Sequence, residues 1–268
     1  MSTLICPICR GLLQPDEKTW RCSRGHSFDV AREGYLNLLA VQHKKSLEPG
    51  DNPEMVKARL DFLQAGHYEP LRKAVVAALK PLHARNLLDI GCGEGYYTSA
   101  YTEVAASVIG IDIAKIAVQL AAKRFSGITW LVAGSAMLPV ADASQDIVTS
   151  LFSPQPLAEM VRVLKPGGSA LVVTPAHDHL WELRQELFDE VRAHHPEKFL
   201  RDFEAAFAAP ETQELSYALQ LEGAALKDLM LMTPYAWRAT AEKRAALALR
   251  ENLETKAAFT LFLFRKKD

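Results

Sequence analysis

The sequence predicts an α/β protein, with a parallel sheet covered by helices on both faces and a small cysteine-rich domain in front of it. Apolar, strand-like segments alternate with helix-like segments over residues 87–174, an order typical of parallel sheets. Three of the four cysteines lie within the first 22 residues, ahead of that alternation. A chain of 268 residues, 49% hydrophobic and 24% charged, can bury a large core and is typical of soluble globular proteins.

The cysteine-rich start has the spacing of a metal site. It holds a C-x2-C pair and, twelve residues later, a C-x3-H pair; these residues are Cys6, Cys9, Cys22 and His26. Zinc binds four such ligands at tetrahedral corners, and because all four are protein groups we expect a structural site in a zinc-ribbon-like domain. The alternative is three buried or redox-active thiols beside an unrelated histidine. A turn is predicted at residues 14–16, between short strands around residues 12–13 and 19–20.

A helix is predicted between the cysteine-rich domain and the sheet. Residues 50–52 are typical of a turn and an N-cap, and Pro53 suits the first helical position. Apolar residues then recur at helical spacing as far as Gly66. We therefore divide the chain into a zinc-binding domain at 1–37, a linker with this helix at 38–70, and the sheet domain at 71–268.

The first strand of the sheet ends in a glycine-rich turn. Residues 87–95 read LLDIGCGEG, and a helix is predicted from about residue 96 to 104. Glycines at such a turn let the backbone approach a ligand closely. The G-x-G-x-G spacing differs from the G-x-G-x-x-G of dinucleotide-binding proteins, and the sequence has no G-x-x-x-x-G-K-[ST] phosphate loop. Cys92, inside the turn, is interpreted as a small packing residue rather than a nucleophile.

Further strands are predicted after this turn. They span residues 107–112, 128–135, 145–152, 169–174 and 255–265, with a helix at 159–164 and a Lys-Pro-Gly-Gly turn before the strand at 169. Asp112 ends the second strand, 19 residues after Gly93, where a carboxylate can bind ribose hydroxyls. The stretches 179–194 and 203–249 are predicted to be mostly helical.

The glycine turn, the spaced acid and the LKPGG turn resemble, in their order, the class I S-adenosylmethionine-dependent methyltransferases. The resemblance implies a Rossmann-like sheet that binds S-adenosylmethionine at its strand ends, through Asp89, Gly91, Gly93 and Asp112. That family often has an aspartate after the third strand, which binds the adenine amino group. This chain has Gly134-Ser135 there, so Ser135 or the backbone would do that work.

A longer set of motifs covers nearly the whole chain. CPIC with CSRGHSFD, EGYLNLL, VQHKKS, GDNPEMVKAR, GHYEPL, DIGCGEGYYT and MTPYAWRA resemble the 23S ribosomal RNA guanine-N1 methyltransferases, the large-subunit methyltransferase A family. The resemblance implies methylation of a guanine in a 23S rRNA hairpin, zinc on the four front ligands, and homodimers as one option. It also implies cofactor contacts from Tyr68, Gly95, Tyr96 and His179. Members differ in which of two nearby guanines they modify, and these motifs do not separate the two.

Three segments are candidates to meet the acceptor base. After the fourth strand, the Ser153 carbonyl or the Gln155 amide could contact guanine, or the proline-rich loop could simply shape the rim. His177 and His179 follow the fifth strand and could act as a base or contact the cofactor, whereas the alternative is a pair of exposed loop histidines. The aromatic residues of 235–238 could stack on a flipped base or pack in a helical core. Ser153 and His177 are the catalytic candidates.

Charge gives modest support for an RNA substrate. Residues 1–45 carry seven Lys or Arg and four Asp or Glu, although the net charge of the chain is -1. Trp20 and Tyr35 are available there for stacking, and residues 43–45, His-Lys-Lys, are the best candidates for phosphate contacts. A solvated face with core aromatics is the alternative.

The sequence shows neither an apolar run long enough to span a membrane nor a basic and apolar leader, so we expect a cytoplasmic protein. Two rival functions are considered. A small-molecule methyltransferase of the same fold would leave the zinc-binding domain unexplained. A non-catalytic, zinc-bearing RNA-binding protein would not need the intact glycine turn and Asp112.

Overall fold

The computed structural model describes residues 3–39 and 49–267. Its strands are β1 (Leu13–Asp16), β2 (Thr19–Cys22), β3 (Ser27–Asp29), β4 (Tyr35–Asn37), β5 (Ala84–Ile90), β6 (Ala105–Asp112), β7 (Thr129–Val132), β8 (Gln145–Leu151), β9 (Leu164–Pro175), β10 (Glu211–Glu222) and β11 (Asn252–Arg265).

Along the chain, the helices lie between β4 and β11. They are α1 (Pro53–Gln64), α2 (Glu69–Leu79), α3 (Lys115–Arg124), α4 (Leu157–Val163), α5 (Trp181–Leu187), α6 (Leu200–Phe203), α7 (Gly223–Met232), α8 (Pro234–Arg238) and α9 (Ala241–Ala248), with short 3-10 helices at Lys80–Leu82 and Thr98–Glu103. None of these helices has the length and apolar character needed to cross a lipid bilayer.

Eight strands form one sheet in the order β10-β11-β9-β8-β5-β6-β7-β4. Neighbouring strands from β4 to β9 are parallel, whereas β11 runs antiparallel between β9 and β10. The chain proceeds outward from β5 through β6 to β7, and then restarts on the other side of β5 with β8. Such a reversal leaves a crevice at the carboxyl ends of the two central strands. The predicted α/β sheet is confirmed.

Both faces of the sheet are buried. Leu87 of β5 packs into one apolar cluster, and its neighbour Leu88 packs into a second cluster on the opposite face. Successive side chains of a strand point to opposite faces, so a sheet covered on both sides requires apolar residues at consecutive positions. This explains the unbroken apolar runs that predicted the central strands.

Residues 3–39, which we call the front lobe, begin with a three-stranded antiparallel sheet, β1-β2-β3. The turn between β1 and β2 lies at Glu17-Lys18, because Asp16 pairs with Thr19. The turn predicted at residues 14–16 is therefore wrong, since these residues belong to β1. Pro15 is tolerated there because β1 is an edge strand, where a missing N–H leaves no unpaired partner.

The front lobe is fixed to the main sheet at several points. Its last strand, β4, pairs in parallel with β7 and forms the edge of the eight-stranded sheet. The backbone N–H of Ile5 donates to the Pro139 carbonyl at 3.0 Å, and Leu4 bridges to Val140. Leu4 and Leu13 are buried in the same apolar cluster as Leu88. The lobe and the sheet therefore share one core.

The predicted helix before the sheet is confirmed as α1. Asn52 is its N-cap, with the side-chain oxygen accepting the Met55 N–H at 2.9 Å, and Pro53 is the first residue. Gly66, at φ +86°, follows the helix end. Arg59 on α1 donates to the carbonyl of Met232 at 3.3 Å, which joins α1 to the end of α7.

Three predicted helical segments are different in the structure. In the stretch 179–194 only Trp181–Leu187 is helical. The stretch 203–249 contains the twelve-residue strand β10, which pairs along its whole length with β11. Its residues 215, 217, 219 and 221 are the more buried ones, which is the two-residue alternation of a strand with one face on the core. The helix predicted at 96–104 is reduced to the 3-10 turn at Thr98–Glu103.

Candidate functional site

Four side chains of the front lobe converge on one point. The ligand atoms of Cys6, Cys9, Cys22 and His26 all lie within 4.8 Å of one another. Nδ1 of His26 is 3.5 Å from the Cys6 sulfur and 3.4 Å from the Cys22 sulfur, while the Cys9 and Cys22 sulfurs are 3.6 Å apart. Tetrahedral zinc with its usual bond lengths places neighbouring sulfur and nitrogen ligands about 3.4–3.8 Å apart. The four residues therefore fit a zinc ion.

Local backbone geometry brings the two ligand pairs together. The N–H of Ile8 points at the Cys6 sulfur from 3.4 Å, and Arg10 closes the first turn by donating to the Cys6 carbonyl. In the second turn, Gly25 has φ +83° and donates to the Cys22 carbonyl at 3.0 Å. A residue with a side chain would be strained at Gly25, which is why a glycine precedes His26.

The glycine-rich turn lies at the end of β5, at the reversal of the sheet order. Gly91 has φ +76°, and a Cβ atom there would come within 2.4 Å of the Ser153 side chain. Ser153 in turn donates its hydroxyl to the Ile90 carbonyl at 2.7 Å. The turn and the loop after β8 are thus held tightly against each other, and only glycine fits at position 91.

Two carboxylates at this edge of the sheet are held by hydrogen bonds. Asp112, at the end of β6, accepts the Gly93 N–H at 2.9 Å and the Ala114 N–H at 2.8 Å, one on each oxygen. Burial raises the pKa of Asp112, and these two bonds oppose the rise. Asp89 accepts hydroxyl hydrogens from Thr98 and Thr149, while burial raises its pKa to about 6.

His179 is a buried, neutral imidazole next to Tyr68. Its Nδ1 accepts the Ala258 N–H at 3.1 Å, so the proton lies on Nε2, which faces the Tyr68 oxygen at 3.5 Å. Burial lowers the pKa of His179 to about 3. This contact joins the residues after β9 to the start of α2. Because the Nε2–H of His179 points at the Tyr68 oxygen, the hydroxyl hydrogen of Tyr68 points away from His179.

This burial makes folding sensitive to acid. The ordinary pKa of a histidine is 6.5. Below that pH the unfolded state binds a proton on His179, whereas the folded state keeps the side chain neutral until the pH approaches about 3. We expect this histidine to make the free energy of unfolding fall by about 1.4 kcal/mol per pH unit between pH 6 and 4. Urea unfolding at several pH values should show a shallower dependence for His179→Asn, which can still accept the Ala258 N–H. Equal slopes for the two proteins would contradict this assignment.

A cavity of about 750 Å³ opens at the carboxyl ends of the central strands. The sequence-predicted residues that line it are Tyr68, Asp89, Gly91, Gly93, Asp112, Ser135, Ser153, Gln155, His179, Tyr235 and Arg238. Gly95, Tyr96 and His177 are not among its lining residues. Gly95 lies against Trp130, and Tyr96 donates to Glu69 at 3.3 Å. Residues 43–45, predicted to contact phosphates, lie outside the described part of the chain.

The wall of the cavity also presents polar atoms without partners. The hydroxyls of Tyr97 and Thr174 are buried, and among the described residues neither has a hydrogen-bond partner. Buried hydroxyls without partners are costly, so their presence in a cavity wall indicates that a bound molecule satisfies them. Together with the Asp112 carboxylate and the glycine turn, the cavity fits a nucleoside-bearing cofactor such as S-adenosylmethionine.

The far side of the cavity contains residues that the sequence did not single out. Phe152 and Thr174 lie at the carboxyl ends of β8 and β9, and His194 forms a 2.7 Å hydrogen bond with the Tyr235 hydroxyl. Burial, and to a lesser extent nearby Arg184, lower the pKa of His194 to about 4. An aromatic residue directly after a buried strand was the one signal that could have identified Phe152.

Comparison with protein families matches both parts of the chain. A zinc-ribbon family described as the N-terminal part of RlmA matches residues 4–47, which include the four clustered ligands. A methyltransferase-domain family matches residues 88–172, from the strand before the glycine turn to β9.

Curated relatives match over most of their length. A 23S rRNA (guanine(748)-N(1))-methyltransferase of Streptomyces fradiae is 34% identical over 87% of this chain and 85% of that protein. YxjB of Bacillus subtilis is 34% identical over 90% of this chain and 89% of that protein. Among solved structures, BH2331 of Bacillus halodurans is 18% identical, covers 72% of this chain and 99% of that one, and superposes with a TM-score of 0.53. This last likeness shows the fold alone.

Proposed function

Because the chain belongs to the 23S rRNA (guanine-N1)-methyltransferase family, we propose that it transfers a methyl group from S-adenosylmethionine to N1 of one guanine in a 23S rRNA hairpin. The observation that carries this proposal is that one chain contains both a zinc-type cluster and a cavity at the strand ends. The relatives match the chain across both of these parts. A cofactor-binding sheet alone would serve many acceptors.

The cavity accounts for binding of the methyl donor. S-adenosylmethionine supplies an electrophilic methyl group on a sulfonium, so the protein must hold the donor and acceptor in line. In this proposal Asp112 binds the ribose hydroxyls, while the backbone of Gly91 and Gly93 allows close approach to the donor. Ser135 lies at the adenine end, and the Tyr68 hydroxyl, oriented by His179, provides a further polar contact. Gly95 packs against Trp130 and so supports the glycine turn. Tyr96 follows it and donates a hydrogen bond to Glu69.

The acceptor nitrogen must lose its proton during methyl transfer. Of the two catalytic candidates, Ser153 lies in the cavity wall, but its hydroxyl already donates to Ile90 and its carbonyl accepts from Gln155. His177 is exposed and does not line the cavity; its Nδ1 is 2.7 Å from the His194 carbonyl, and its Nε2 is 4.0 Å from a carboxylate oxygen of Glu197. We propose both roles from the positions of these residues after the fourth and fifth strands predicted from the sequence.

The zinc cluster accounts for the front lobe. Binding of zinc to its four ligands would supply the folding free energy that a lobe of this size cannot obtain from its own core. We propose that the lobe and the residues directly after it contact the RNA, since residues 1–45 carry seven Lys or Arg and four Asp or Glu. The resemblance also allows a homodimer, which sedimentation of the purified protein with and without RNA would test.

An acceptor assay tests the proposed function. Purified protein with labelled S-adenosylmethionine is expected to methylate transcripts of 23S rRNA hairpins and to leave a panel of small metabolites unlabelled. Mass mapping should place the label on N1 of a single guanine, and changing that guanine to adenine should abolish it. Label in a metabolite but not in RNA would favour the small-molecule enzyme. Failure to bind the donor in calorimetry would favour a non-catalytic RNA-binding protein.

A further inference from the structure

Phe152 adopts a backbone conformation that is unfavourable for a bulky residue. Its φ is +54°, in the left-handed region that glycine and asparagine enter readily and phenylalanine does not. It is nevertheless placed directly after β8, where its N–H donates to the Val173 carbonyl at 3.1 Å. Such strain persists only where the surroundings enforce it, and it is concentrated at functional sites.

The strained backbone presents the ring to the cavity instead of burying it. Phe152 is 44% exposed, although most large apolar side chains of the chain are buried, and it lines the strand-end cavity. The rings of Phe259 and Tyr97 support it, with centroids 5.6 Å and 6.5 Å away. An aromatic ring that is packed on its back and open in front is suited to stack against a planar ligand.

The ring lies on the side of the cavity away from Asp112. Asp112 ends β6, whereas Phe152 follows β8, which is on the other side of β5 in the sheet. In the proposed function Asp112 and the glycine turn hold the methyl donor, so the part of the cavity beside Phe152 is left for the acceptor base.

We propose that Phe152 forms the stacking wall of the subsite for the target base, in which guanine stacks on the Phe152 ring. The proposal rests on the proposed function and deepens it. A flipped base loses its stacking in the helix, and an aromatic wall restores it. The strain at residue 152 holds that wall in place before the RNA arrives.

A binding cycle tests the stacking contact. The affinity of wild-type protein is measured for the hairpin and for the same hairpin with an abasic site at the mapped guanine, and both are repeated with Phe152→Leu and Phe152→Tyr. Stacking of one base is expected to be worth about 10- to 100-fold in affinity, lost in the abasic hairpin. Phe152→Leu should lose the discrimination between the hairpins, whereas Phe152→Tyr should keep it. Because each protein is compared with itself, partial destabilisation does not mimic the result.

Two results would overturn the subsite. One is a Phe152→Leu protein that still prefers the intact hairpin by the wild-type factor. The other is a loss of S-adenosylmethionine affinity in Phe152→Leu that equals its loss of affinity for the intact hairpin, which would place Phe152 at the cofactor. If the wild-type protein itself does not methylate the hairpin, the proposed function fails, and that result is separate from either of these.

Discussion

Replacing Cys6 with serine is expected to release the zinc ion and unfold the front lobe. Cys6 is completely buried and lies beside His26, so no other described side chain can take its place in the cluster. Structural zinc contributes about 10–16 kcal/mol to the folding of small domains, and removal of one ligand forfeits most of it. Metal analysis of the purified variant should find no stoichiometric zinc, and limited proteolysis should cut within residues 3–39.

The same variant separates the roles of the two parts of the chain. The strand-end cavity is built from the main sheet, so we expect binding of S-adenosylmethionine to fall much less than methylation of RNA. Cys92→Ala is the matched control for zinc content, because Cys92 is a free cysteine in the glycine turn, remote from the cluster. Full zinc content in Cys6→Ser, or loss of zinc in Cys92→Ala, would show that the metal is held elsewhere.

Asp112→Asn is expected to weaken binding of S-adenosylmethionine by about 100-fold or more. Each carboxylate oxygen accepts a backbone N–H, from Gly93 and from Ala114. An amide NH2 group would face one of these donors, so the glycine turn would lose one supporting hydrogen bond, and the proposed ribose contact would lose its charged acceptor. Hydrogen bonds to a charged group are worth about 1.5–3 kcal/mol each, so one bond to the backbone and one to the ribose together account for this factor. Calorimetric titration with S-adenosylmethionine measures it.

Asp146→Asn provides the control for this change. Asp146 also accepts two backbone N–H groups, from Arg85 at 3.0 Å and Asn86 at 2.8 Å, but it lies at the opposite end of the sheet. We expect this variant to lower the unfolding temperature without changing the affinity for S-adenosylmethionine. If both variants bound the donor as tightly as the wild-type protein, Asp112 would have no part in the cofactor site.

The sequence was most informative where function imposes fixed spacing. The cysteine and histidine pairs and the glycine turn require particular residues a few positions apart, because a metal and a close backbone approach leave few alternatives. The N-cap at Asn52 was likewise predictable, since its side chain bonds to its own helix. The parallel strands followed from apolar runs that only a sheet buried on both faces explains.

Features that depend on distant partners were predicted poorly. Strand β10 was taken for helix because its alternation is half polar, and its pairing with β11, which lies 30 or more residues later in the chain, is not visible in the local sequence. The turn at Glu17 was displaced because Pro15, usually a turn residue, is permitted on an edge strand. The positive φ of Phe152 has no sequence signature at all, since tertiary packing imposes it against the preference of the residue.

The pairing of β4 with β7 has a consequence for the protein when it is starved of metal. β4 is one edge strand of the main sheet. The strand next to it, β7 (Thr129–Val132), has buried or half-buried residues throughout. When the front lobe unfolds, this strand exposes unpaired backbone groups and apolar side chains, which are a template for pairing with another chain. Bound zinc, by keeping the front lobe folded, would therefore also keep this edge covered. Zinc-depleted protein is expected to self-associate at this edge.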